Sequence, residues 1–429
     1  MTIDSASKIL MAHCYYRERG GEDVSFDAEV AMLVAHGHRV ATYTRLSRDI
    51  DGYNLFQRFR LPARAIWATD TRRSLDSMLL TERPSLAHFQ NTFPLISPSA
   101  YASCRAADVP VVQTLRNYRL ICPKGTLLRN GVVCEDCVGM TFAWPGIVHG
   151  CYHGSLSQSA AVAGATAAHT LLGTWRESVD VFIALTHFAK KKYVEGGLPA
   201  DRIVVKPNFV DDPGPPRPIP DNGTILFIGR LSEEKGAADL IRAACLLKTR
   251  HPLLIVGDGP ERHRLAELAS RCSYPLSIFS GALPRHRVLE EIDRAVCVVV
   301  PSRWYETFGR VVIEAYARGR PVIASRIGAL AELVRDDETG RLFDAGNIEA
   351  LAATLNRALS NPVRLRRMAQ RARGEYEAHY TPEINYRMLM EIYRLATRRV
   401  KESGERAIGP PEIRGTSANQ GSRSRRDSE

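Results

Sequence analysis

The sequence lacks long apolar runs, and it lacks a charged start followed by an apolar core. Its longest clean apolar runs are Val30–Ala35 and Ala295–Val300, far short of the roughly 20 residues that a membrane-spanning helix needs. We therefore expect neither a transmembrane helix nor a secretory signal. Hydrophobic residues make up 45% and charged residues 24% of the 429 residues. This composition excludes a mainly disordered chain, a collagen and a coiled-coil rod.

Two common phosphate-binding patterns are also missing. No GxxxxGK[ST] occurs in the chain, which disfavours a P-loop NTPase. A GxG pattern begins at Gly257, but Arg262 stands where the dinucleotide fingerprint has its third glycine. A nicotinamide-dependent dehydrogenase is disfavoured for that reason.

Positive charge is in excess, and it is spread along the chain. The formal net charge is +11, which favours anionic partners: nucleic acid, phosphorylated substrates or acidic lipid surfaces. Between residues 364 and 401, ten Lys or Arg stand against four Glu. Arg387, Arg394 and Arg398 fall close to one face of a predicted helix there. A solvated helix face is the favoured interpretation, and a surface that approaches anionic lipid headgroups is the alternative.

A proline-rich stretch divides the chain into two similar halves. Residues 211–223 contain five prolines and are incompatible with helix or central strand. On each side, Val- and Ile-rich runs alternate with helical segments, which is typical of doubly buried parallel sheets. The predicted strands are 8–13, 38–43, 87–90, 110–115, 179–185 and 202–207, then 224–229, 252–257, 276–281, 295–301 and 321–325. The sequence therefore predicts an α/β protein with two Rossmann-like domains that face each other across a cleft.

The loop after the first strand of the second half carries two cations. It reads GRLSEEKG and includes Gly229, Arg230, Lys235 and Gly236. An Arg and a Lys five residues apart reach a single anionic group, and this combination suits a diphosphate. Another glycine turn, at Gly257, follows the next strand.

Two glutamates follow a later strand of the second half. Glu306 lies in the loop after that strand, Phe308 and Gly309 open a helix, and Glu314 lies within the helix. The free N–H groups at Gly309 and Arg310 would meet phosphate oxygens. The two carboxylates would then accept hydrogen bonds from sugar hydroxyls. Two solvated glutamates on an amphipathic helix are the alternative.

These segments together resemble family 4 glycosyltransferases, which have two facing Rossmann-like domains (the GT-B fold). The resemblance rests on GRLSEEKG, VGDGPE, PSRWYETFGRVVIEAYARGRPVIAS and GALAEL, and extends to about Arg399. It implies a retaining transfer of a sugar from a nucleotide-diphosphate sugar, without a required metal ion. It also implies an acceptor-binding domain over 1–210, a nucleotide-sugar domain over 211–385 and a crossing helix over 386–402. We expect the polar residues 403–429 to form a disordered tail.

The same resemblance assigns roles to individual residues of the second domain. Arg230 and Lys235 would bind the donor diphosphate, Glu306 the hydroxyls of the donor sugar, and Glu314 the ribose. Glu306, Arg230 and Lys235 are thereby the candidate catalytic residues. The candidate donor-binding set is Gly21, Gly229, Arg230, Lys235, Gly257, Glu306, Phe308, Gly309, Arg310 and Glu314.

The first domain would hold the acceptor. Gly20-Gly21 matches a glycine loop that similar enzymes place near the donor phosphates, and an ordinary strand-to-helix turn is equally compatible. His88, Arg116 and Asn117 are the candidate acceptor or cleft residues. Arg116 stands where relatives commonly carry a histidine near the reacting centre. A guanidinium cannot act as a base, so the catalytic role of that histidine is not transferred to Arg116.

Four cysteines are concentrated in one segment of the first domain, residues 118–155. Cys122, Cys134, Cys137 and Cys151 are spaced C-x11-C-x2-C-x13-C, which suits a structural Zn²⁺ site in a Cys-rich loop insertion. Free thiols and redox-labile disulfides are the alternatives. The other cysteines, at positions 14, 104, 245, 272 and 297, are expected to be single packing residues. Nine cysteines without a secretory signal favour a reducing compartment.

The sequence as a whole predicts a cytoplasmic glycosyltransferase, with peripheral contact to the inner face of a membrane as an option. The acceptor is expected to be a glycan or a lipid-linked glycan of a cell-surface polysaccharide, and nucleic acid is not expected as a partner. An epimerase-like sugar-nucleotide enzyme of the same fold is the nearest alternative. A zinc-ribbon nucleic-acid-binding protein is a more remote one, because few aromatic residues interleave with basic residues near the cysteines.

Overall fold

The computed structural model describes residues 7–54, 56, 60–248, 251–272 and 277–408. It contains two separate six-stranded parallel sheets and one short two-stranded antiparallel sheet. The α/β class and the pair of Rossmann-like domains predicted from the sequence are confirmed.

The first sheet has the strand order β2-β1-β3-β4-β7-β8. Its strands are β1 (Lys8–Tyr15), β2 (Arg39–Leu46), β3 (Leu86–Phe89), β4 (Val111–Leu115), β7 (Val181–Ala184) and β8 (Ile203–Val205). Its helices are α1 (Gly21–Ala35), α2 (Leu61–Ile66), α3 (Thr69–Glu82), α4 (Ser99–Ala106), α5 (Trp144–Val148), α6 (Leu156–Leu171), α7 (Thr174–Glu177) and α8 (His187–Glu195). The central strands β3, β4 and β7 are buried at every position, as expected when helices cover both faces of a parallel sheet.

The second sheet has the strand order β11-β10-β9-β12-β13-β14. Its strands are β9 (Thr224–Ile228), β10 (Leu253–Val256), β11 (Ser277–Gly281), β12 (Ala295–Val300), β13 (Val322–Ser325) and β14 (Gly340–Phe343). The helices around it are α9 (Ala237–Ala244), α10 (Arg262–Arg271), α11 (Arg285–Arg294), α12 (Arg310–Ala317), α13 (Gly328–Leu333), α14 (Ile348–Leu359) and α15 (Pro362–His379). β14 was not among the predicted strands. Its sequence, GRLF, contains an arginine and has no valine or isoleucine, so it lacks the Val- and Ile-rich pattern from which the other strands were predicted.

A long last helix, α16 (Pro382–Ile408), follows the second domain and returns to the first. Leu389, Tyr393 and Ala396 are buried in the same cluster as Ile9 and Phe26 of the first domain. The helix is longer than the predicted 386–402, and the predicted start of the tail at 403 is wrong, because residues 403–408 continue the helix. The rest of the predicted tail, 409–429, lies outside the described residues.

The cysteine-rich segment is partly ordered by hydrogen bonds rather than being a plain loop. β5 (Leu128–Arg129) and β6 (Val132–Val133) form a small hairpin within it, and α5 follows. Asn130 and Gly131 at the hairpin turn both have positive φ, at 51° and 75°, which matches a two-residue Asn-Gly turn. The hairpin turn lies close to the second domain, since a Cβ on Gly131 would come within 2.7 Å of Glu233 Oε1.

Candidate functional site

The order of the second sheet brings the predicted donor residues together. Chain order runs outward in one direction from β9 through β10 to β11, and in the other from β12 through β13 to β14. The strand order therefore reverses between the neighbouring strands β9 and β12. In doubly wound folds, ligands bind in the crevice outside the carboxyl ends of the two strands at such a point. The loop after β9 carries Arg230 and Lys235, and the loop after β12 carries Glu306. The fold therefore places the three candidate catalytic residues at one crevice.

Glu306 is held in place by three donors. Its Oε1 atom accepts hydrogen bonds from Lys235 Nζ at 2.6 Å, Ser302 Oγ at 2.9 Å and Trp304 Nε1 at 3.0 Å. The Lys235 ammonium also lies 5.1 Å from the centroid of the Trp304 ring. Glu306 is 8% exposed, whereas the Lys235 side chain is 26% exposed, so the carboxylate is shielded from water and the ammonium is partly accessible. A carboxylate and an ammonium fixed in this way are preorganised to meet a sugar hydroxyl and a phosphate.

Arg230 is the more accessible of the two predicted diphosphate ligands. Its side chain is 59% exposed, and its guanidinium lies 3.5 Å from the exposed carboxylate of Glu18 in the first domain. Exposed ion pairs of this kind contribute little to stability. The guanidinium is consequently free to exchange Glu18 for a bound anion.

Helix α12 begins at the same crevice. Gly309, its N-cap residue, has φ of 97°, and an added Cβ would come 2.9 Å from Leu330 Cδ2, so glycine is required here. Arg310 Nε donates to Glu314 Oε1 at 2.9 Å, and Arg310 Nη1 donates to Ser25 Oγ of helix α1 at 3.2 Å. Arg310 Nη2 is buried without a hydrogen-bond partner among the described residues. The predicted ribose ligand Glu314 is thus paired with a cation that also contacts the first domain.

Three other residues were predicted to bind the donor. Packing fixes the positions of Gly257 and Phe308, whereas a Cβ at Gly21 would have no packing neighbour among the described residues. Gly257 has φ of 141°, and a Cβ there would come 1.9 Å from Gly229 O, so the loops after β9 and β10 touch through their backbones. The Phe308 side chain is 2% exposed and belongs to the core of the second domain, which leaves its backbone to face a ligand. Gly21 is the first residue of α1 and has open space around its Cα.

Arg116 belongs to a buried network in the first domain. Its Nε donates to Gln90 Oε1 at 2.7 Å and its Nη1 to Asn208 Oδ1 at 2.8 Å. Its Nη2 lies 3.4 Å from Glu29 Oε2, and Lys206 Nζ lies 2.7 Å from Glu29 Oε1. Burial alone would raise the pKa of Glu29, but the surrounding cations outweigh it and lower that pKa to about 2. Arg116 therefore neutralises a buried carboxylate.

His88 does not line the cleft, so that expectation is wrong. It lies within β3, is fully buried, and its ring nitrogens bond Tyr393 Oη of α16 at 2.9 Å and Thr114 Oγ1 at 2.7 Å. Burial, together with the Lys206 and Arg116 cations, lowers the pKa of His88 to about 4. It is a neutral core histidine that ties the last helix to the first sheet.

Asn117 lies at the edge of a cavity that sequence reasoning did not identify. Its Oδ1 atom accepts from Arg119 N at 3.2 Å, and its Nδ2 atom donates to Tyr16 Oη at 3.1 Å. The cavity has a volume of about 80 Å³ and lies at the carboxyl ends of β3 and β4, with α6 as its far wall. Its lining includes Arg116, Asn117 and Arg119. No sequence motif indicates this space, because its walls come from segments up to 110 residues apart (Ala65 to Trp175).

The four clustered cysteines line one small cavity, together with Lys124 and Arg129. All four are free thiols, and burial raises the pKa of Cys137 to about 11. In the described part of the chain, no group of three or more His, Cys, Asp or Glu side chains is arranged to hold a metal ion. The thiols as placed do not form a metal-ligand set, and structural zinc stays a prediction.

Two of the remaining cysteines differ from expectation. Cys245, directly after α9, and Cys272, directly after α10, form a disulfide with their Cα atoms 5.8 Å apart. The expectation that both are single packing residues is wrong, because the two helices pack side by side and bring their ends together. This bond also removes the cysteine content as an argument for a reducing compartment.

Two family models match the chain in the same order as the two sheets. A glycosyl transferase 4-like domain matches residues 20–208, and glycosyl transferases group 1 matches residues 214–375. No helix among the described residues is long and apolar enough to cross a membrane.

Curated relatives resemble mainly part of the chain. A glycogen synthase of Mycobacterium tuberculosis is 32% identical over 198 residues, covering 45% of this chain and 46% of the relative. A D-inositol 3-phosphate glycosyltransferase of Rhodococcus opacus is 35% identical over 189 residues, 42% of each chain. The match thus spans less than half the length of these relatives. A protein of the cps region of Klebsiella pneumoniae is 25% identical over 360 residues, covering 76% of this chain and 87% of the relative.

Solved structures share the fold over most of the chain. Sucrose-phosphate synthase from Thermosynechococcus elongatus has a TM-score of 0.68 at 19% identity, covering 90% of this chain and 98% of the other. Anabaena HepE in complex with UDP has a TM-score of 0.65 at 17% identity with the same coverage. The lipopolysaccharide outer core galactosyltransferase WaaB has a TM-score of 0.58 at 16% identity, covering 92% and 99%.

Proposed function

We propose that this chain, which belongs to the family 4 glycosyltransferases with the GT-B fold, transfers a sugar from a nucleotide-diphosphate sugar to a glycan or lipid-linked acceptor. The observation that carries the proposal is the Lys235–Glu306 pair beside Arg230 at the crevice between β9 and β12. The pairing of a fixed cation with a fixed carboxylate matches a ligand that is a phosphate at one end and a sugar at the other.

The proposed chemistry needs positive charge where the leaving diphosphate gains negative charge. Arg230, Lys235 and the N–H groups at the start of α12 supply that charge without a metal ion. Glu306 would accept hydrogen bonds from the donor sugar, and Glu314 from the ribose. The transfer would retain the anomeric configuration, as the resemblance implies, with no protein nucleophile assigned.

Arg116 would assist this reaction indirectly. Its guanidinium is engaged with Gln90, Asn208 and Glu29, whereas its backbone oxygen accepts a hydrogen bond from Thr307 Oγ1 at 2.9 Å. Thr307 follows Glu306 directly, so Arg116 would position the two loops relative to each other. It is not available as a general base.

The donor would carry a UDP group, and the product would enter a cell-surface polysaccharide. HepE was solved with UDP and with UDP-glucose, WaaB is described as a lipopolysaccharide galactosyltransferase, and the Klebsiella relative is encoded in a cps region. These descriptions belong to those proteins, and they support the same assignment for this chain. The exposed Arg387, Arg394 and Arg398 on α16 support a second part of the proposal, contact with an anionic membrane surface.

A thermal-shift panel of UDP, GDP, ADP and their sugars tests the donor site. A nucleotide at 100 times its dissociation constant stabilises a protein by about 2.7 kcal/mol, which is readily measured. We expect UDP to stabilise the chain more than GDP or ADP does, and Lys235→Ala and Glu314→Gln to abolish the shift.

Matched controls separate this effect from loss of charge in general. Lys191→Ala removes a lysine that is 72% exposed, and Glu338→Gln alters a glutamate that is 49% exposed. Both should respond to the nucleotide like the unmodified chain. If no nucleotide or nucleotide sugar shifts the melting temperature, the proposed function is wrong.

A further inference from the structure

The 80 Å³ cavity of the first domain is lined by an arginine whose buried N–H groups are unpaired among the described residues. Arg119 lines it, with its guanidinium carbon 4.5 Å from the centroid of the Phe93 ring and 5.4 Å from that of Tyr152. Arg119 Nε and Nη1 are both buried, and neither has a hydrogen-bond partner in the described parts of the chain. Buried N–H groups are nearly always paired, so these two require an explanation.

The charge of Arg119 is also uncompensated by a direct ion pair. The ion pairs found among the described residues include Glu29 with Arg116 and Glu18 with Arg230, but none that involves Arg119. The Glu22 carboxylate senses the charge of Arg119, but it accepts hydrogen bonds from Tyr16 and Asn117 instead. A guanidinium that packs against aromatic rings keeps its N–H groups available to a hydrogen-bond acceptor, and the Arg119 side chain, with two N–H positions unpaired within the described ranges, lines the cavity.

The segment that carries Arg119 lies directly against the donor crevice. Thr307 Oγ1 donates to Arg116 O, and Tyr118 Oη donates to Glu306 O at 3.5 Å. Arg116 also lines the cavity, so the cavity and the loop that carries Glu306 both contact the segment 116–119. An acceptor held in the cavity would lie on the first-domain side of the donor crevice, with its receiving hydroxyl directed toward the donor sugar.

We propose that this cavity is the acceptor subsite and that Arg119 binds a phosphate or carboxylate group of the acceptor. The proposal rests on the proposed function and adds to it the chemical class of the acceptor, a small oxyanion next to the receiving hydroxyl. The cavity holds several times the volume that one water molecule requires, and apolar side chains of α6 and α7, such as Val162 and Trp175, form its other side. Such walls suit the carbon faces of a sugar ring or the first part of a lipid tail.

The test uses the full-length protein saturated with UDP, so that the donor site cannot take up the probe. The probes are glycerol 1-phosphate, methyl glucuronide and, as the neutral comparison, methyl glucoside, with binding measured by calorimetry. We expect an anionic probe to bind and the glucoside not to bind. Arg119→Gln should weaken binding of the anionic probe about tenfold or more and leave UDP binding unchanged. Arg176→Gln, an exposed arginine next to the cavity-lining Trp175, is the matched control and should bind like the unmodified chain.

A second variant closes the cavity from its opposite wall. Thr166 lines the cavity from α6, so Thr166→Trp should fill the space while the arginine itself is kept, and it should also abolish binding of the anionic probe. A preference for the phosphate probe would support a lipid phosphate as the source, and a preference for the glucuronide would support an acidic sugar.

Three outcomes overturn the proposal: neither anion binds, the glucoside binds equally well, or Arg119→Gln binds the anion unchanged. Because UDP binding is measured on the same samples, failure of the donor site is recognised separately.

Discussion

At the scale of single residues, the first domain is organised around buried charge. Glu29, Arg116 and Lys206 are each at most 4% exposed and form one ion-pair cluster. Breaking a buried pair by removing one partner typically costs about 3–5 kcal/mol, because the other charge stays buried. Arg116 is therefore expected to stabilise the fold of the first domain.

His88 makes the stability of the protein depend on pH. Its folded-state pKa is about 4, chiefly because of burial, whereas a histidine of an unfolded chain titrates near 6.5. Between these values the unfolded chain binds more protons, so the free energy of unfolding decreases as the pH falls from 6.5 to 4. The loss from this residue is about 3 kcal/mol at most.

Urea unfolding at pH 7 and at pH 4 measures the effect. In His88→Gln the decrease between the two pH values should be smaller by that amount, while the decrease in His263→Gln, at a side chain 90% exposed, should match the unmodified chain. An unchanged decrease in His88→Gln would contradict the assignment of a neutral buried histidine.

At the scale of elements, the cysteine-rich segment lies close to the second domain, because its hairpin turn at Gly131 approaches Glu233. Glu135 beside Cys134 bonds Lys192 Nζ of α8 at 2.8 Å, and Lys192 lies 5.7 Å from the Tyr305 ring centroid, next to Glu306. A change in the order of this segment would therefore reach the donor loop.

Structural zinc in this segment remains a testable prediction. Tetrahedral zinc needs four sulfurs at about 2.3 Å from the metal, so the four thiols would have to converge on one point in the cavity. The cationic Lys124 and Arg129 at the cavity would offset the charge of the thiolates. If zinc binds, elemental analysis of the purified protein should find one equivalent per chain.

The cysteine variants make the metal measurement specific. Cys134→Ser should remove the metal, and Cys104→Ser, at a buried free thiol outside the segment, should retain it. Purified protein that contains no zinc and takes up none on titration would exclude the prediction.

At the scale of the whole molecule, hydrogen bonds outside the donor crevice also join the two domains. The Glu332 carboxylate on α13 accepts from the backbone N–H groups of His187 and Phe188 at 2.9 and 2.8 Å. These groups begin helix α8 of the first domain, so the contact satisfies a helix N-terminus of one domain with a carboxylate of the other. It links the domains on the side of α8, next to the ring pair Phe188–Tyr305.

Removal of this contact should loosen the pairing of the domains. Glu332→Ala is expected to lower the free energy of unfolding by about 1 kcal/mol and to broaden or split the calorimetric transition. Glu338→Ala, in the same domain but with a single exposed ion pair, should change the free energy by less than about 0.5 kcal/mol. A sharp, unshifted transition in Glu332→Ala would show that the contact does not couple the domains.

The sequence by itself determined the local structure and the donor motifs. Val- and Ile-rich runs, glycine turns and the proline-rich stretch act over a few residues, so all eleven predicted strands overlap observed strands by three or more residues. The residues that follow β9 and β12 could be named in advance, because ligands of such sheets bind beyond the strand ends.

Only the tertiary structure decided which of the named residues face a ligand. His88 is buried because both faces of β3 are covered and because the last helix returns to the first sheet. Arg116 belongs to a charge cluster with Glu29 and Lys206. The Cys245–Cys272 bond and the cavity beside Arg119 depend on segments far apart in the chain. The burial and the partners of a side chain depend on contacts with residues far away in the sequence, so a local sequence pattern cannot predict them.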